Sequence, residues 1–177
     1  MTRPGGDNAQ RRLEEALAGV CDPEIPALTI AEIGILRGCE IDADGHAVVI
    51  ISPTYSGCPA METIRADIGA AVHAAGLPGV RIRTVLAPAW SSRRLSEAGR
   101  AKLRACGIAP PADEAAQRPD GRAAPLLEIP RVPPRCPRCP VCGNAATGQL
   151  SPFGPSPCID LWRCEACGEP FEHFKEH

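Results

Sequence analysis

Apolar residues recur at helical spacing near the start of the chain and at strand spacing soon afterwards. A helix is predicted over residues 9–20, because its apolar side chains fall three or four positions apart and would share one face: Leu13, Ala16, Leu17 and Val20. Residues 34–41 and 46–51 are typical of β-strands, and the turn residues 42–45 lie between them. This order predicts a helix followed by a β-hairpin.

A second helix is predicted directly after the hairpin. Proline is favoured at the first helical position, so Pro59 at that position makes Cys58 the N-cap residue. The helix ends at Gly76, and residues 80–86 alternate as a third strand. A strand–helix–strand unit should place the Cys58 turn at the carboxyl edge of a sheet. With helical turns after residue 92, residues 8–108 are predicted to form a small α/β (α+β) domain in the order helix, hairpin, helix, strand, helix.

Cys58 is the candidate functional residue of this domain. An N-cap side chain faces the free N–H groups and the positive end of the helix dipole, which favours a thiolate and hence a ligand or nucleophile. A free cysteine is also often a small buried hydrophobe, and this stretch alone leaves both interpretations open. Asp22 and Glu24 lie between prolines in a predicted turn, either as functional carboxylates or as turn formers.

The second half of the chain changes character. Residues 109–135 are rich in proline and alanine and predict a linker. Residues 136–177 carry Cys-x-x-Cys pairs, and two such pairs can surround one tetrahedral zinc ion. A segment of about forty residues cannot bury enough surface to fold unaided, so a structural zinc ion would supply the missing folding energy. The sequence therefore predicts a small zinc-ribbon domain after the linker.

The first pair can be assigned in two ways, because Cys136/Cys139 and Cys139/Cys142 have the same spacing. We choose the second, since Gly143 then follows its pair as Gly168 follows the other, and glycine lets the turn bring backbone N–H groups near the sulfurs. The predicted zinc ligands are Cys139, Cys142, Cys164 and Cys167, with Cys136 as the alternative. The candidates for labile extra ligands are Cys158 and His177, although His173 and His177 are both taken as surface residues first and as ligands second.

Composition narrows the function classes. The chain has 177 residues, ten cysteines, a net charge of −2 and 3% aromatic residues. It shows no signal peptide and no membrane-spanning stretch, so a cytoplasmic protein without a membrane partner is expected, in which cysteines favour metal binding over disulfides. The acidic balance argues against a nucleic-acid partner, and residues 136–177 hold three basic and five acidic side chains. The locally basic segment from Arg81 to Arg104 is either a solvated face or a docking surface for an acidic partner.

Several enzyme classes lack their motifs. The chain has no Gly-x-Gly-x-x-Gly dinucleotide motif, no P-loop and no Glu-x-x-His sets on long helices for a di-iron centre. The histidines lie far from any nucleophile motif, and no base or resolving cysteine is evident beside Cys58. An accessory protein is therefore favoured over a catalyst, with no catalytic residue assigned.

Five segments within residues 10–111 resemble the small α/β domain of SufT-like iron–sulfur maturation proteins. They are Asp22-Pro23-Glu24-Ile25-Pro26, Ile33-Gly34-Ile35-Leu36, Thr54-Tyr55-Ser56-Gly57-Cys58-Pro59, Pro88-Ala89-Trp90 and Gly107-Ile108-Ala109-Pro110-Pro111. With the ribbon segments 151–154 and 169–175, the whole chain resembles the PaaD family of phenylacetyl-CoA epoxidase subunits. One departure is the family's Phe-Lys-Cys-His tail, which is Phe174-Lys175-Glu176-His177 here.

The resemblance implies an accessory subunit of a multicomponent phenylacetyl-CoA epoxidase, the ring 1,2-epoxidase of aerobic phenylacetate degradation. Such a subunit would mature or deliver an iron or iron–sulfur centre to the oxygenase or reductase subunits. The resemblance further implies that Cys58 holds this cargo transiently, with Asp22, Glu24 and Thr54 nearby. Since clusters generally need four protein ligands, Cys58 would share the cargo with a partner or with a second copy in a homodimer.

Two other functions compete with iron delivery. A structural adaptor would dock the oxygenase components through the zinc ribbon, while Cys58 merely packs. A zinc-ribbon nucleic-acid binder would use the basic face between Arg81 and Arg104, although the charge of the ribbon has the wrong sign for phosphate contacts.

Overall fold

The computed structural model describes residues 4–55, 57–112 and 136–176, and it divides the chain into two compact units between Cys106 and Gly107. Most of the predicted linker, residues 113–135, lies outside the described residues, as does the candidate ligand His177. None of the described helices has both the length and the apolar content needed to cross a membrane.

The first unit is a mixed α/β domain, as predicted. Its helices and strands are, in chain order, α1 (Pro4–Ala18), α2 (Ile30–Ile33), β1 (Leu36–Ile41), β2 (Ala47–Ile51), α3 (Ala60–Ala74), β3 (Val80–Thr84) and α4 (Glu97–Ala105), with a single 3-10 turn at Ser92–Arg94 before α4. Helix α1 begins at Pro4, five residues before its predicted start at Ala9, and ends at Ala18. The polar residues before Leu13 carry no apolar periodicity, so the pattern alone could not locate this start.

Strand β2 is the centre of a three-stranded sheet with the order β1-β2-β3. It pairs antiparallel with β1, which confirms the hairpin, and parallel with β3, as a strand–helix–strand unit requires. Ala47, Val49 and Ile51 of β2 are fully buried, and α1, which packs against β1 and α3, contributes Leu13 and Leu17 to the core, while α3 contributes Ile64 and Ile68. The loop that follows Ile51 therefore leaves the carboxyl end of the buried central strand.

A short helix, α2, was not predicted. Thr29 and Glu32 form a reciprocal capping box at its start, and Gly34 ends it with a φ of +81°. The Trp90 indole N–H donates to the Ile33 carbonyl over 3.0 Å in a buried position. Four residues are too few to show a helical period, and α2 is held by these caps and tertiary contacts instead.

The second unit is a four-stranded sheet with the order β4-β7-β6-β5. Its strands are β4 (Ile108–Ala109), β5 (Thr147–Ser151), β6 (Ile159–Cys164) and β7 (Pro170–Phe174). Strand β6 pairs antiparallel with β5 and β7, whereas β4 pairs parallel with β7. Ile108 and Ala109, placed by the sequence at the end of the first domain and the start of the linker, thus belong to the second sheet. Ala109, Trp162 and Phe171 form a buried cluster with the sulfurs of Cys139 and Cys164.

Candidate functional site

Cys58 lies in the loop that connects β2 to α3. The N-cap residue of α3 is Pro59, with φ −69° and ψ −25°, so the prediction that Cys58 is the N-cap is wrong. Pro59 already has helical backbone angles, and α3 itself begins only at Ala60. The Cys58 sulfur still accepts a hydrogen bond from the Ala60 N–H, which keeps it at the amino end of the helix.

Three other residues meet at Cys58. Thr54, which is buried, makes a side-chain hydrogen bond to Cys58, and the carboxylates of Glu24 and Asp22 lie close enough to act on its charge. The structure therefore brings together residues that are more than thirty positions apart in the sequence. Elsewhere in the described residues, some groups of cysteine, histidine and carboxylate ligand atoms lie within 4.8 Å of one another. The Cys58 sulfur and the Glu24 and Asp22 carboxylates do not form such a group. The Cys58 site is thus an open, incomplete ligand set.

The protonation state of Cys58 differs from the sequence-based expectation. Burial of the half-buried thiol is the main cause that raises its pKa, and the carboxylates of Glu24 and Asp22 raise it further. Hydrogen bonds from the Ala60 N–H and the Thr54 side chain act in the opposite direction without reversing the shift. The expectation that the helix end favours a thiolate is therefore wrong. With its pKa raised, Cys58 is a thiol at neutral pH when no metal is bound. A cation that replaces the proton would compensate the nearby negative charge.

Asp22 has a structural role as well as a place beside Cys58. Its Oδ1 accepts hydrogen bonds from the N–H groups of Glu24 and Ile25, both over 2.9 Å. Burial raises the pKa of Asp22, although these two backbone donors lower it and Glu24 raises it. Asp22 is therefore a turn former, as its residue type suggests, and the turn it forms holds Glu24 near Cys58.

Four sulfurs of the second unit form a compact group. Those of Cys139, Cys142, Cys164 and Cys167 lie within 4.8 Å of one another, with 3.8 Å between Cys139 and Cys167 and 3.5 Å between Cys142 and Cys164. A tetrahedron with zinc–sulfur bonds of about 2.3 Å has edges of about 3.8 Å. The donor set and its spacing therefore fit a zinc ion. Cys136 is exposed and stays outside this group.

Both cysteine pairs lie on turns of the same construction. The Cys139 N–H donates to the Asn144 carbonyl and the Gly143 N–H to the Cys139 carbonyl, each over 2.9 Å. The Cys164 turn repeats both bonds at 2.9 Å, through Glu169 and Gly168. Gly143 and Gly168 have φ values of +73° and +79°, which favour glycine at both places. The repeated turn accounts for the glycine that follows each pair.

Backbone N–H groups and neighbouring sulfurs shift the pKa values of the cysteines in this group. Backbone N–H groups of Cys167 and Ala166 lower the pKa of Cys164 to about 7, against the effect of burial. The Glu169 N–H acts to lower the pKa of Cys167, but the Cys142 and Cys164 sulfurs outweigh it and raise that pKa to about 12. Four crowded sulfurs resist full deprotonation, and a divalent cation at their centre would remove this resistance.

Other candidate residues of the second unit have different surroundings. Cys158 is buried, with 2.9 Å between its sulfur and the Ser156 hydroxyl oxygen, and lies outside the four-sulfur group. His173, expected at the surface, is buried, and it lies opposite Asp160 on the neighbouring strand with 2.8 Å between Nδ1 and Oδ1. Gln149 donates to the other Asp160 oxygen over 2.8 Å. This network was not predicted, although the alternating positions 160, 162 and 164 all point inward.

The basic segment from Arg81 to Arg104 is not one continuous face. Arg100 is buried and donates to the Ser92 carbonyl over 3.1 Å. Several other cations have carboxylate partners, at 3.7 Å for Arg81 with Asp42, 2.8 Å for Lys102 with Glu32 and 3.5 Å for Arg104 with Glu97. Counting only acids nearby in the sequence overestimates the free positive charge of this segment, because Glu32 and Asp42 are remote in the sequence.

Comparisons with known proteins match both units separately. A model described as "PaaD zinc beta ribbon domain" matches residues 131–175, and one described as "Iron-sulfur cluster assembly protein" matches residues 10–87. A solved structure of a domain of unknown function, DUF59, from Bacillus anthracis superposes with a TM-score of 0.51 at 24% identity, covering 56% of this chain and 94% of that one. This likeness concerns the fold alone.

Two curated relatives extend the match. An "Fe-S protein maturation auxiliary factor" of Porphyromonas gingivalis (strain ATCC BAA-308 / W83) is 33% identical over 82 residues, covering 46% of this chain and 77% of the relative. A 1,2-phenylacetyl-CoA epoxidase subunit of Escherichia coli (strain K12) is 36% identical over 159 residues, covering 90% of this chain and 88% of the relative. Because this second match spans an α/β maturation-type unit and a ribbon with four clustered cysteines, the chain belongs to the PaaD family of phenylacetyl-CoA epoxidase subunits.

Proposed function

We propose that this protein is an accessory subunit of a phenylacetyl-CoA epoxidase, the ring 1,2-epoxidase of aerobic phenylacetate degradation. Its task is to mature or deliver an iron or iron–sulfur centre to the oxygenase or reductase subunits in the cytoplasm. In this role the protein needs no catalytic residue of its own, and none is assigned to it. Family membership supports the pathway role, and the match to an iron–sulfur assembly domain supports the maturation role.

The observation that carries the proposal is the open ligand set at Cys58. One half-buried thiol, the Thr54 side chain bonded to it and two nearby carboxylates lie at the carboxyl edge of the sheet, without a complete set of donors. A full set of four thiolates would hold a cluster firmly, whereas an incomplete set requires further ligands from a partner or a second copy. Such a shared site binds its cargo weakly enough to pass it on.

Each residue of the site has a distinct part in binding. The Cys58 sulfur loses its proton to solvent and forms a bond to iron, so one proton leaves for each bond made. The Ala60 N–H and the Thr54 side chain orient the sulfur, and the Glu24 and Asp22 carboxylates attract the cationic cargo. The same carboxylates raise the pKa of Cys58, which favours return of the proton when the cargo leaves.

The ribbon has a separate metal role. One zinc ion is held by the sulfurs of Cys139, Cys142, Cys164 and Cys167. As a Lewis acid it accepts electron pairs from the four thiolates, and its binding stabilises a unit with a small apolar core. The turns described above aim backbone N–H groups towards the sulfurs. Cys136 is not needed for this zinc site.

Anaerobic reconstitution with iron and sulfide tests the proposal. We expect the wild-type protein to take up iron, and Cys58→Ser to lose most of that uptake because serine replaces the single sulfur of the open site. Cys106→Ser is the matched control, since Cys106 is an exposed thiol after α4. Equal iron uptake by wild type and Cys58→Ser would contradict the proposal.

A structural adaptor is the second candidate. It is favoured by three exposed apolar side chains of the ribbon unit: Val141 at 66%, Leu150 at 57% and Phe153 at 73% exposure. If the protein only docks other subunits, Cys58→Ser will support full oxygenase activity in cells, whereas Phe153→Ser will reduce it. The delivery proposal predicts that Cys58→Ser is the more damaging variant.

A further inference from the structure

The edge of the first sheet that carries the Cys58 loop also carries arginines. Arg37 is the second residue of β1, whose start lies opposite the end of β2. Arg83 is the penultimate residue of β3, which runs parallel to β2 and ends at the same edge. Arg65 of α3 donates to the Thr84 hydroxyl at the end of β3, which holds a third guanidinium there.

Arg94 reaches this edge through a close backbone contact. The position that a Cβ would take at Gly34 lies 2.5 Å from the Arg94 Cβ and 2.7 Å from its carbonyl oxygen. Gly34 comes just before β1, so the contact fixes Arg94 beside the start of that strand. We call the set formed by Arg37, Arg65, Arg83 and Arg94 the arginine edge.

The arginine edge lacks carboxylate partners. Among the described residues, no Asp or Glu oxygen lies within 4.0 Å of these four guanidinium groups. Arg81 and Arg104 of the same unit do have carboxylate partners. The positive charge of these four guanidinium groups is therefore not neutralised by carboxylates of the described residues, and a bound ligand could neutralise it.

Two of these arginines are held near each other in spite of their like charge. The Arg37 Nη1 donates to the Pro88 carbonyl over 3.4 Å, and Arg94 packs on Gly34. Partial burial and the charge of Arg94 both lower the pKa of Arg37. A carboxylate that accepts hydrogen bonds from either guanidinium, or from both, would relieve this repulsion.

We propose that the arginine edge is a docking surface for an acidic segment of a protein partner. Planar guanidinium groups bind carboxylates in a bidentate manner, which gives geometry as well as charge. The segment would lie along the sheet edge beside the Cys58 loop, where a receiving protein would need to approach. The inference goes beyond the delivery of iron, and it stands whether or not Cys58 binds metal.

Fluorescence anisotropy of a labelled poly-glutamate peptide tests this surface in the full-length protein. We expect the wild type to bind the peptide with an affinity that falls as salt is added. The double variant Arg37→Gln/Arg94→Gln should bind about tenfold more weakly, since charge-assisted hydrogen bonds are lost. The matched control Arg81→Gln/Arg104→Gln removes the same charge from arginines that have carboxylate partners, and it should bind like the wild type.

Three outcomes would overturn the proposal. The first is that the wild type does not bind the peptide, and the second is that the two double variants weaken binding equally, so that only net charge matters. The third is preferential binding of duplex DNA, lost in the Arg37→Gln/Arg94→Gln variant, which would assign the edge to nucleic acid instead. Glutamine keeps the polarity and much of the length of arginine, so we expect both double variants to fold. Thermal melting of each variant checks this.

Discussion

At the scale of single residues, burial and neighbouring carboxylates decide the chemistry of Cys58. The helix end that should favour a thiolate is present, since the Ala60 N–H reaches the sulfur. Burial and the charges of Glu24 and Asp22 outweigh it, so that the pKa of the thiol is raised. In the proposed function, Cys58 is therefore a thiol that would exchange its proton for a cation, rather than a pre-formed nucleophile.

Glu24→Gln should increase the reactivity of Cys58. Removing one negative charge beside the sulfur stabilises the thiolate, so its pKa falls and more thiolate exists at a given pH below that pKa. We expect faster alkylation of Cys58 by iodoacetamide near neutral pH, measured for each cysteine by mass spectrometry. Glu40→Gln, on the exposed surface of β1, is the control and should leave the rate unchanged. An unchanged or slower rate in Glu24→Gln would show that Glu24 does not act on Cys58.

At the scale of secondary-structure elements, glycines with positive φ shape the backbone in both units. Gly34 lets the end of α2 lie against Arg94, and the glycines after the cysteine pairs let the ribbon turns fold back. The contact at Gly34 places Arg94 at the arginine edge, and the positive φ of Gly143 and Gly168 allows the turns that carry the sulfurs. The elements are thus arranged by conformations that other residues adopt only under strain.

Gly34→Ala should destabilise the first unit. The new Cβ would meet Arg94 at 2.5 Å while φ is +81°, so both strain and overpacking oppose the substitution, by about 1–3 kcal/mol or more. Gly69→Ala is the matched control, because its Cβ would meet nothing within 4 Å in the interior of α3 and alanine favours a helix by about 1 kcal/mol. Urea denaturation should show opposite shifts for the two variants. A Gly34→Ala midpoint equal to that of the wild type would disprove the close contact.

The two possible registers of the ribbon ligands predict different zinc contents. Cys142→Ser removes one of the four clustered sulfurs and should reduce bound zinc strongly, whereas Cys136→Ser removes an exposed sulfur outside the cluster and should keep it. Zinc per chain, measured by elemental analysis of purified variants, distinguishes the two registers. The assignment is wrong if Cys136→Ser loses zinc and Cys142→Ser does not.

At the scale of the whole molecule, the protein consists of two compact units with different candidate sites. The first carries the half-buried Cys58 thiol at one edge of a three-stranded sheet, and the second carries four clustered sulfurs beside a mostly antiparallel four-stranded sheet. In the first unit, the longer helices and the three strands followed from apolar periodicity, and in the second unit the group of four cysteines followed from the Cys-x-x-Cys spacing. These signals are local in the sequence, which is why they could be predicted.

Features that depend on distant residues were missed. Helix α2 is too short to have a period, and the pairing of Asp160 with His173 depends on the register of β6 and β7. The raised pKa of Cys58 depends on a turn that comes more than thirty residues earlier. The partners of Arg81 and Lys102 are likewise remote in sequence, so the extent of free positive charge could not be derived from composition.

Removal of zinc should unfold the second unit alone. A strong chelator takes away the folding free energy that four thiolate bonds supply, while the aliphatic core around β2 remains intact. Hydrogen exchange measured by mass spectrometry should show lost protection in residues 147–174 and preserved protection in β2 and α3. Equal loss of protection in both units would contradict this division of stabilising interactions.

Transfer of iron tests delivery through Cys58 most directly. Protein loaded anaerobically with labelled iron is mixed with the metal-free oxygenase or reductase subunits, and the label is followed after chromatographic separation. We expect iron to move to one of these subunits when the wild type is the donor, and Cys58→Ser to support little transfer beyond that of free iron. Equal transfer by the two proteins, or iron that stays with the wild type, would contradict delivery through Cys58.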